Sequence, residues 1–342
     1  MKGTVVITGG GTGGHLKVAD AFIEEFHSRG VPVIFIGSSN GLDKDWFDND
    51  KRLSKAFFLD TRGVVNKGFF GKIASLFNIF VKANRCLNIF DNHNVQAVIS
   101  VGGYSAAAAS FAGILKFGCK FYIHEQNSRM GKLNQITSKF AKEVFSSFDE
   151  NSLVKDYPVS SEFFDNARVR SEVKTVAFFG GSQGAVAIND FALKVAPKLK
   201  SLGIEIIHQT GKKDFLRVEE EYKKIGIEAD VFGFSKEIPM KMAKADFAVS
   251  RAGASTLFEM CANSLPAYFV PYKYAAGDHQ YYNAKDLVDK GIAFMAREDD
   301  LDVDRFFEAI NSDIHGISKK LASYISPNAT SLIVNIIAQN NK

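Results

Sequence analysis

The sequence predicts an α/β protein built from two parallel-sheet domains, and three observations carry that prediction. Short apolar, β-branched runs alternate with helical patterns along the chain, the sequence form of a parallel sheet covered by helices. The rhythm breaks at residues 156–161, where Tyr157, Pro158, Val159 and Ser160 read as an extended linker, and then restarts with the same opening of strand, glycine turn and helix. At 342 residues the chain is long enough for two domains that each bury a core.

Composition narrows the class of protein. A hydrophobic fraction of 46% with 23% charged residues describes a soluble globular chain. The net charge of +4 gives no argument for nucleic acid, and it tolerates an acidic small molecule or an anionic membrane surface. Cys86, Cys119 and Cys261 are odd in number and far apart, which points to a reducing compartment and no zinc site. The N-terminal apolar run is too short for a signal peptide, and the longest small, apolar run, residues 106–115, is well below a membrane span. The expectation is a protein that neither crosses a membrane nor is exported by these signals.

Strands are expected at residues 4–8, 31–36, 56–59, 97–101, 120–124 and 143–146 in the first domain, and at 175–179, 205–209, 230–232, 247–250, 267–270 and 292–295 in the second. Residues 5–17, VVITGGGTGGHLK, join the first strand to a helix through five glycines broken only by Thr12, with His15 just beyond. Glycines there permit positive φ and close approach of the backbone, and the exposed N–H groups of the new helix favour an anion. Gly9, Gly11 and Gly14 also have the G-x-G-x-x-G spacing of a dinucleotide site, but the next strand runs into Gly37, Ser38 and Ser39 where a ribose-binding acid would stand. No P-loop lysine follows either. A second glycine turn, Gly102 and Gly103, leads to Tyr104, Ser105 and an alanine-rich helix. A third opens the second domain at residues 180–184, with a helix expected over 185–201. Loops at the carboxyl ends of parallel strands line the ligand crevice, so these turns can face a common cleft.

Other stretches carry polar groups to strand ends. His124, Glu125, Gln126 and Asn127 close one first-domain strand, an arrangement unusual for packing and ordinary for binding. Residues 250–260, SRAGASTLFEM, place Gly253 at a turn, Ser255 or Thr256 as a helix cap, and Glu259 on the first turns of that helix. Glu259 suits the vicinal hydroxyls of a ribose; the spacing Thr256-x-x-Glu259 equally suits a capping box. His279 and Gln280 stand at a helix start after Pro271, able to hydrogen-bond sugar hydroxyls. The aspartates at 43, 45, 48, 50 and 300–304 read as solvated helix faces or caps, not as a metal site.

Residues 67–85, KGFFGKIASLFNIFVKANR, differ in character. Phe69, Ile73, Leu76, Phe80 and Leu87 follow one helical stripe, while Phe70, Phe77 and Val81 add apolar surface beyond one buried face, and residues 62–85 hold five basic side chains and no acid. Such a helix suits attachment to anionic lipid, with Phe70, Lys72, Phe77 and Val81 as the contacts, or else a core position with solvated lysines. At the end of the chain, Pro327 can start a helix whose Leu332, Ile333, Ile336 and Ile337 pack on either domain.

Taken together, GGGTGGH at 9–15, GGYSA at 102–106, HEQN at 124–127, GGSQGA at 180–185, SRAGAST at 250–256 with Glu259, and DHQYYNA at 278–284 resemble the MurG family of N-acetylglucosaminyltransferases, in order over nearly the whole chain. The resemblance implies a GT-B fold, two Rossmann-like domains facing a central cleft, divided as 1–156 for the acceptor and membrane, 157–325 for the UDP-sugar, and 326–342 as a helix crossing back to the first domain. It implies transfer from UDP-N-acetylglucosamine to lipid I, giving lipid II, at the cytoplasmic face of the bacterial inner membrane, with no cofactor, no obligatory metal, and other cell-wall synthesis proteins as partners. By the same resemblance Gly11, His15, Tyr104 and Glu125 lie on the acceptor side. Thr12, Gly13, Gly14, Asn127, Ser182, Gln183, Ser235, Ala254, Ser255, Thr256, Glu259 and Gln280 serve the donor, the uracil resting near Phe234 and Ser235. Two departures stand out: Ser160 follows the linker proline and valine where the family has an arginine, with Arg251 or Arg62 as substitutes, and His279 precedes Gln280 where the family tends to have two glutamines.

The chemistry expected is one in-line displacement at the anomeric carbon with a single general base, for which His15 is the candidate because imidazole titrates near the working pH. Rival readings are a glycolipid synthase or a UDP-N-acetylglucosamine 2-epimerase on the same scaffold, and a non-catalytic lipid- or nucleotide-binding partner.

Overall fold

The computed structural model describes residues 3–61, 69–181 and 183–341, with the side chains of 69–76 outside the description. The chain divides into two compact units, Met1–Pro158 together with Asn328–Lys342, and Val159–Pro327. The first unit contains β1 (Thr4–Thr8), α1 (Gly13–Ser28), β2 (Val33–Ser38), α2 (Asp43–Phe47), β3 (Lys55–Leu59), α3 (Phe69–Asn92), β4 (Val95–Ser100), α4 (Ala107–Leu115), β5 (Lys120–Glu125), α5 (Lys132–Thr137) and β6 (Glu143–Ser146). The second contains α6 (Ser161–Asp165), β7 (Thr175–Phe179), α7 (Val186–Ser201), β8 (Glu205–Gln209), α8 (Phe215–Lys224), β9 (Asp230–Phe232), α9 (Ile238–Lys244), β10 (Phe247–Ser250), α10 (Ala254–Ala262), β11 (Ala267–Phe269), α11 (His279–Asp289), β12 (Phe294–Met295), α12 (Val303–Ile310) and α13 (Ile314–Leu321). Helix α14 (Ala329–Asn340) completes the first unit.

Each unit holds one six-stranded sheet, in the orders β3-β2-β1-β4-β5-β6 and β12-β11-β10-β7-β8-β9. Reading β7 as the first strand makes the two orders identical. All the pairings are parallel, and every strand expected from the sequence is present with its ends shifted by at most two residues. The strand order reverses between β1 and β4 and again between β7 and β10, the switch points where the loops beyond the carboxyl ends diverge and leave a crevice.

The sequence period explains the cores. In α1, Leu16, Ala19, Phe22, Ile23 and Phe26 recur at helical spacing and are buried against the β-branched interior of β1 and β2. Each such large apolar side chain contributes about 1.5–3 kcal/mol on leaving water. In the second unit Val176, Phe178, Ile188, Phe191, Val195 and Phe306 belong to one buried cluster. Arg170 is fully buried and donates to the carbonyls of Met242 and Ala245 at the end of α9 (both 3.1 Å) and to Asn263 Oδ1 beyond α10 (2.6 Å); burial pushes its pKa down to about 9. Helix α14 lies against α1, where Arg29 donates to Asn335 Oδ1 (2.7 Å) and Ser331 Oγ (2.8 Å).

One helix is rotated relative to its expected face. The described buried residues of α3 are Ala83, Cys86, Ile89 and Phe90, whereas Phe80, assigned above to the buried stripe, is exposed with Phe77 and Val81. A helix that is apolar nearly all round gives no phase to read, and packing against α4 decides which side is covered. No helix among the described residues is long and apolar enough to cross a membrane.

Candidate active site

In the first unit two glycine turns meet at the β1/β4 switch point. Gly10 N–H donates to Gly102 O (3.2 Å), and Gly11, with φ of +80°, has the ring of Tyr104 where a β-carbon would stand, 2.6 Å from the nearest ring atom. The Tyr104 hydroxyl donates to Asn40 O, so this tyrosine is held at both ends. The turn is further fixed by Asp43, which is fully buried and accepts from Gly11 N–H (2.7 Å) through Oδ1 and from Ser38 N–H (2.8 Å) through Oδ2. The reading of Asp43 as part of a solvated face is therefore corrected: the short chain from β2 into α2 turns this carboxylate inward, onto backbone donors left by two strand ends. Among the other aspartates, Asp50 binds Arg52 and Asp302 caps α12 by accepting from Arg305 N–H (2.9 Å). No cluster able to hold a metal ion is present among the described residues.

Helix α1 begins at Gly13, next to open space, with Thr12 as the residue before it. Thr12 Oγ1 and His15 Nδ1 are 2.6 Å apart, and His15 Nε2 lies 3.4 Å from the position a Gly102 β-carbon would take. His15 is half-buried and Thr12 exposed, so the imidazole is oriented by its neighbour while reaching the surface of the turn. The four polar residues closing β5 do a different job from the one expected for all of them. His124 is buried between Phe22 and Tyr157, and burial, with a smaller push from His15, lowers its pKa to about 3, so it is neutral. Gln126 donates to Val101 O (2.7 Å). Buried Glu125 accepts from Asn127 N–H (3.0 Å), Gly131 N–H (3.0 Å) and Asn134 Nδ2 (2.7 Å), folding the loop between β5 and α5 over the turn. Asn127 remains half-buried on that loop. Asn134, missed from the sequence, is buried and, like His15, stands beside the position a Gly102 β-carbon would take (3.3 Å from Nδ2); nothing in its local pattern distinguishes it from a solvated helix residue.

The second unit repeats the device at different strand ends. Gly184, with φ of +83°, packs directly on Gly211, with φ of +81°, so the turns after β7 and β8 touch through backbone alone. His208 Nε2 and Asn189 Oδ1 (3.1 Å) and Asn189 Nδ2 and Thr210 O (3.1 Å) tie α7 to the same place, and burial lowers the His208 pKa to about 3. Gln183 is exposed on the turn, and Ser182 lies outside the described residues. At the β7/β10 switch point α10 starts at Ala254 with Gly253 as its cap. Ser255 and Thr256 are therefore inside the first turn and are not the caps expected, because the cap lies two residues before Ser255 and three before Thr256. The same shift removes the capping-box alternative for Glu259, which sits a turn further along and is only 4% exposed. The first N–H groups of α10, at Ala254, Ser255 and Thr256, have no acceptor within the helix and carry its positive dipole end.

Beside this turn, Tyr272 N–H donates to Gln280 Oε1 (2.9 Å). A backbone N–H can only donate, so the amide orientation of Gln280 is fixed and its NH2 is what it offers to a ligand. His279 Nδ1 reaches Ala276 O (2.9 Å), and Asn283 Nδ2 donates to Ala252 O (3.2 Å), joining α11 to the start of α10. Ser235 Oγ accepts from Glu237 N–H (2.9 Å), and Phe234 stands exposed beside it. Arg251, offered above as a substitute cation, is ion-paired with Glu298 (2.5 Å) and donates to Val270 O (3.1 Å). Arg62, and the side chains of Phe70 and Lys72, lie outside the described residues.

Two family models match the chain, the glycosyltransferase family 28 N-terminal domain over residues 5–146 and the glycosyltransferase family 28 C-terminal domain over 175–335. The chain is 46% identical over 339 residues to a UDP-N-acetylglucosamine--N-acetylmuramyl-(pentapeptide) pyrophosphoryl-undecaprenol N-acetylglucosamine transferase of Campylobacter jejuni subsp. doylei, covering 99% of this chain and 98% of that protein. It is 48% identical over 334 residues to the protein of the same name from Campylobacter fetus subsp. fetus, covering 97% and 99%. Among solved structures, Acinetobacter baumannii MurG superimposes with a TM-score of 0.82 at 26% identity, covering 98% of this chain and 99% of that one.

Proposed function

The chain belongs to the MurG family, within glycosyltransferase family 28, and on that premise we propose that it transfers N-acetylglucosamine from UDP-N-acetylglucosamine to the 4-hydroxyl of lipid I, releasing UDP and giving lipid II. The observation that carries the donor half is the start of α10 at Ala254, where the positive end of the helix stands one turn from buried Glu259. Backbone donors and a helix dipole suit a diphosphate that gains charge as it leaves, and a carboxylate beyond them suits the ribose hydroxyls. In this reading Gln183, Ala254, Ser255 and Thr256, with Ser182, hold the diphosphate, the Gln280 amide donates to a sugar hydroxyl, and the backbone near Phe234 and Ser235 receives the uracil.

The acceptor half falls to the first unit. In this reading Gly11 and Tyr104 shape a turn open to the acceptor diphosphate, Thr12, Gly13 and Gly14 serve the donor sugar, and Glu125 sets the loop that presents Asn127 to that sugar. Thr12 Oγ1 orients the imidazole through Nδ1, and in this reading His15 Nε2 takes the proton of the 4-hydroxyl as its oxygen bonds to the anomeric carbon. The bond from that carbon to the diphosphate breaks on the opposite face, UDP departs with the electron pair, and configuration inverts. We assign attachment to the cytoplasmic face of the membrane to α3, whose Phe77 and Phe80 are 69% and 68% exposed beside Val81, with Lys82 and Arg85 on the same helix.

The test is UDP release by purified enzyme given UDP-N-acetylglucosamine and a short-chain lipid I analogue, with and without chelator. Acceptor-dependent UDP that survives chelation is expected, and His15→Ala should lower turnover at least about a hundredfold at saturating acceptor. Absence of acceptor-dependent UDP would sink the proposed reaction, and near-normal turnover of the variant would remove His15 as the base.

A further inference from the structure

The donor site just described has a charge deficit. A nucleoside diphosphate brings at least two negative charges, and one helix N-terminus returns roughly half of one. Ser160 stands where the family pattern has an arginine, and the cations nearest the strand ends of the second unit are already neutralised by acids of the same unit. Arg251 pairs with Glu298 (2.5 Å), Lys273 with Asp299 (3.2 Å), Arg297 with Asp278 (2.7 Å), Arg217 with Asp214 (2.6 Å), and Lys241 with Asp230.

Lys212 is different. It is exposed on the loop beyond the carboxyl end of β8, and among the described residues no carboxylate pairs with it. Its backbone is fixed on both sides: Gly211 before it rests on Gly184 of the glycine turn, and the Lys212 Cα lies 3.1 Å from where a side chain of Gly233 would begin. The ammonium stands 5.2 Å from the centre of the Phe234 ring, so the side chain is directed by an aromatic face and not by an acid. Lys213 and Lys236, also without carboxylate partners among the described residues, have no such ring contact.

We propose that Lys212 is the cation of the donor site, reaching from the Phe234 ring to the diphosphate of the bound UDP-sugar in place of the missing arginine. The inference rests on the donor-site reading above and names a residue for it. A lysine does this as a point charge; unlike a guanidinium it needs no fixed fork geometry, which fits a side chain held only at its stem and by a ring face.

Titration calorimetry with uridine and with UDP tests it, on the unaltered enzyme and on Lys212→Gln, Lys212→Arg and Lys213→Gln. Loss of a charge-assisted contact should weaken UDP binding by about tenfold or more in Lys212→Gln while leaving uridine affinity unchanged. Lys212→Arg should recover most of the loss, and Lys213→Gln should behave as the unaltered enzyme. Equal losses for uridine and UDP would reduce Lys212 to a support for Phe234 and overturn the assignment. So would unchanged UDP affinity, or a loss of the same size in Lys213→Gln. Failure of the unaltered enzyme to bind either ligand would instead overturn the donor-site reading itself.

Discussion

Asp43 has both carboxylate oxygens occupied by backbone N–H groups, one from the β1 glycine turn and one from the end of β2. A carboxylate can accept at both oxygens, whereas an asparagine must turn its NH2 toward one of those N–H groups. Asp43→Asn should therefore cost about 1–3 kcal/mol of unfolding free energy, seen as a lower denaturant midpoint, and should lower turnover because Gly11 loses its anchor. A midpoint equal to that of the unaltered protein would show that the two N–H groups find other acceptors. The residue also marks a limit of legibility. Its neighbours Asp45 and Asp48 give it the pattern of a wet helix, and only the three-dimensional return of α2 onto the β1 turn distinguishes it. Glu125 is similar: a polar run at a strand end was legible as a special place, but not that its carboxylate would be spent on Asn127, Gly131 and Asn134.

At the level of elements, strands were more legible than helix faces. A β-branched run ending in glycine or a polar cluster announces both its type and its carboxyl end, so β1, β4, β5, β7 and β10 could be read with their turns. Helix α3 could be recognised as a helix, but its apolar residues cover too much of the circumference to say which are buried. The outcome, Phe77, Phe80 and Val81 exposed together, moves Phe80 from the core to the surface available to lipid. Replacing Phe77 and Phe80 by serine should release the enzyme from vesicles containing anionic lipid while soluble-analogue turnover persists. Cosedimentation measures this, and retained salt-sensitive binding would place the attachment on another element. Helix α10 teaches the converse lesson. A start two or three residues earlier than its hydroxyl side chains suggested moves Ser255 and Thr256 from the cap into the first turn, and takes Glu259 out of capping-box register into a buried position further along.

Across the whole molecule, each unit carries one buried neutral histidine, His124 in the first and His208 in the second, with pKa values near 3 caused chiefly by burial. In the unfolded chain an imidazole titrates near 6.5. Between those values the unfolded state binds protons that the folded state does not, so stability falls as pH drops from about 6.5 toward 3, by at most about 1.4 kcal/mol per pH unit for each histidine. Thermal melts at pH 7.5 and 5.0 should show this loss, and His208→Gln should lessen it for the second unit. A variant as acid-sensitive as the unaltered protein would refute the role of His208.

The first unit is closed by α14, whose Asn335 and Ser331 receive Arg29 of α1. On a ribosome this order has a cost in time. At about 5–20 residues per second, α1 must wait for the whole of 159–327 to be synthesised before its partner emerges, while the second unit is contiguous and can fold as it appears. The half of the enzyme that we assign to the lipid-linked acceptor is thus finished after the contiguous second unit, although its glycine turn is synthesised before that unit.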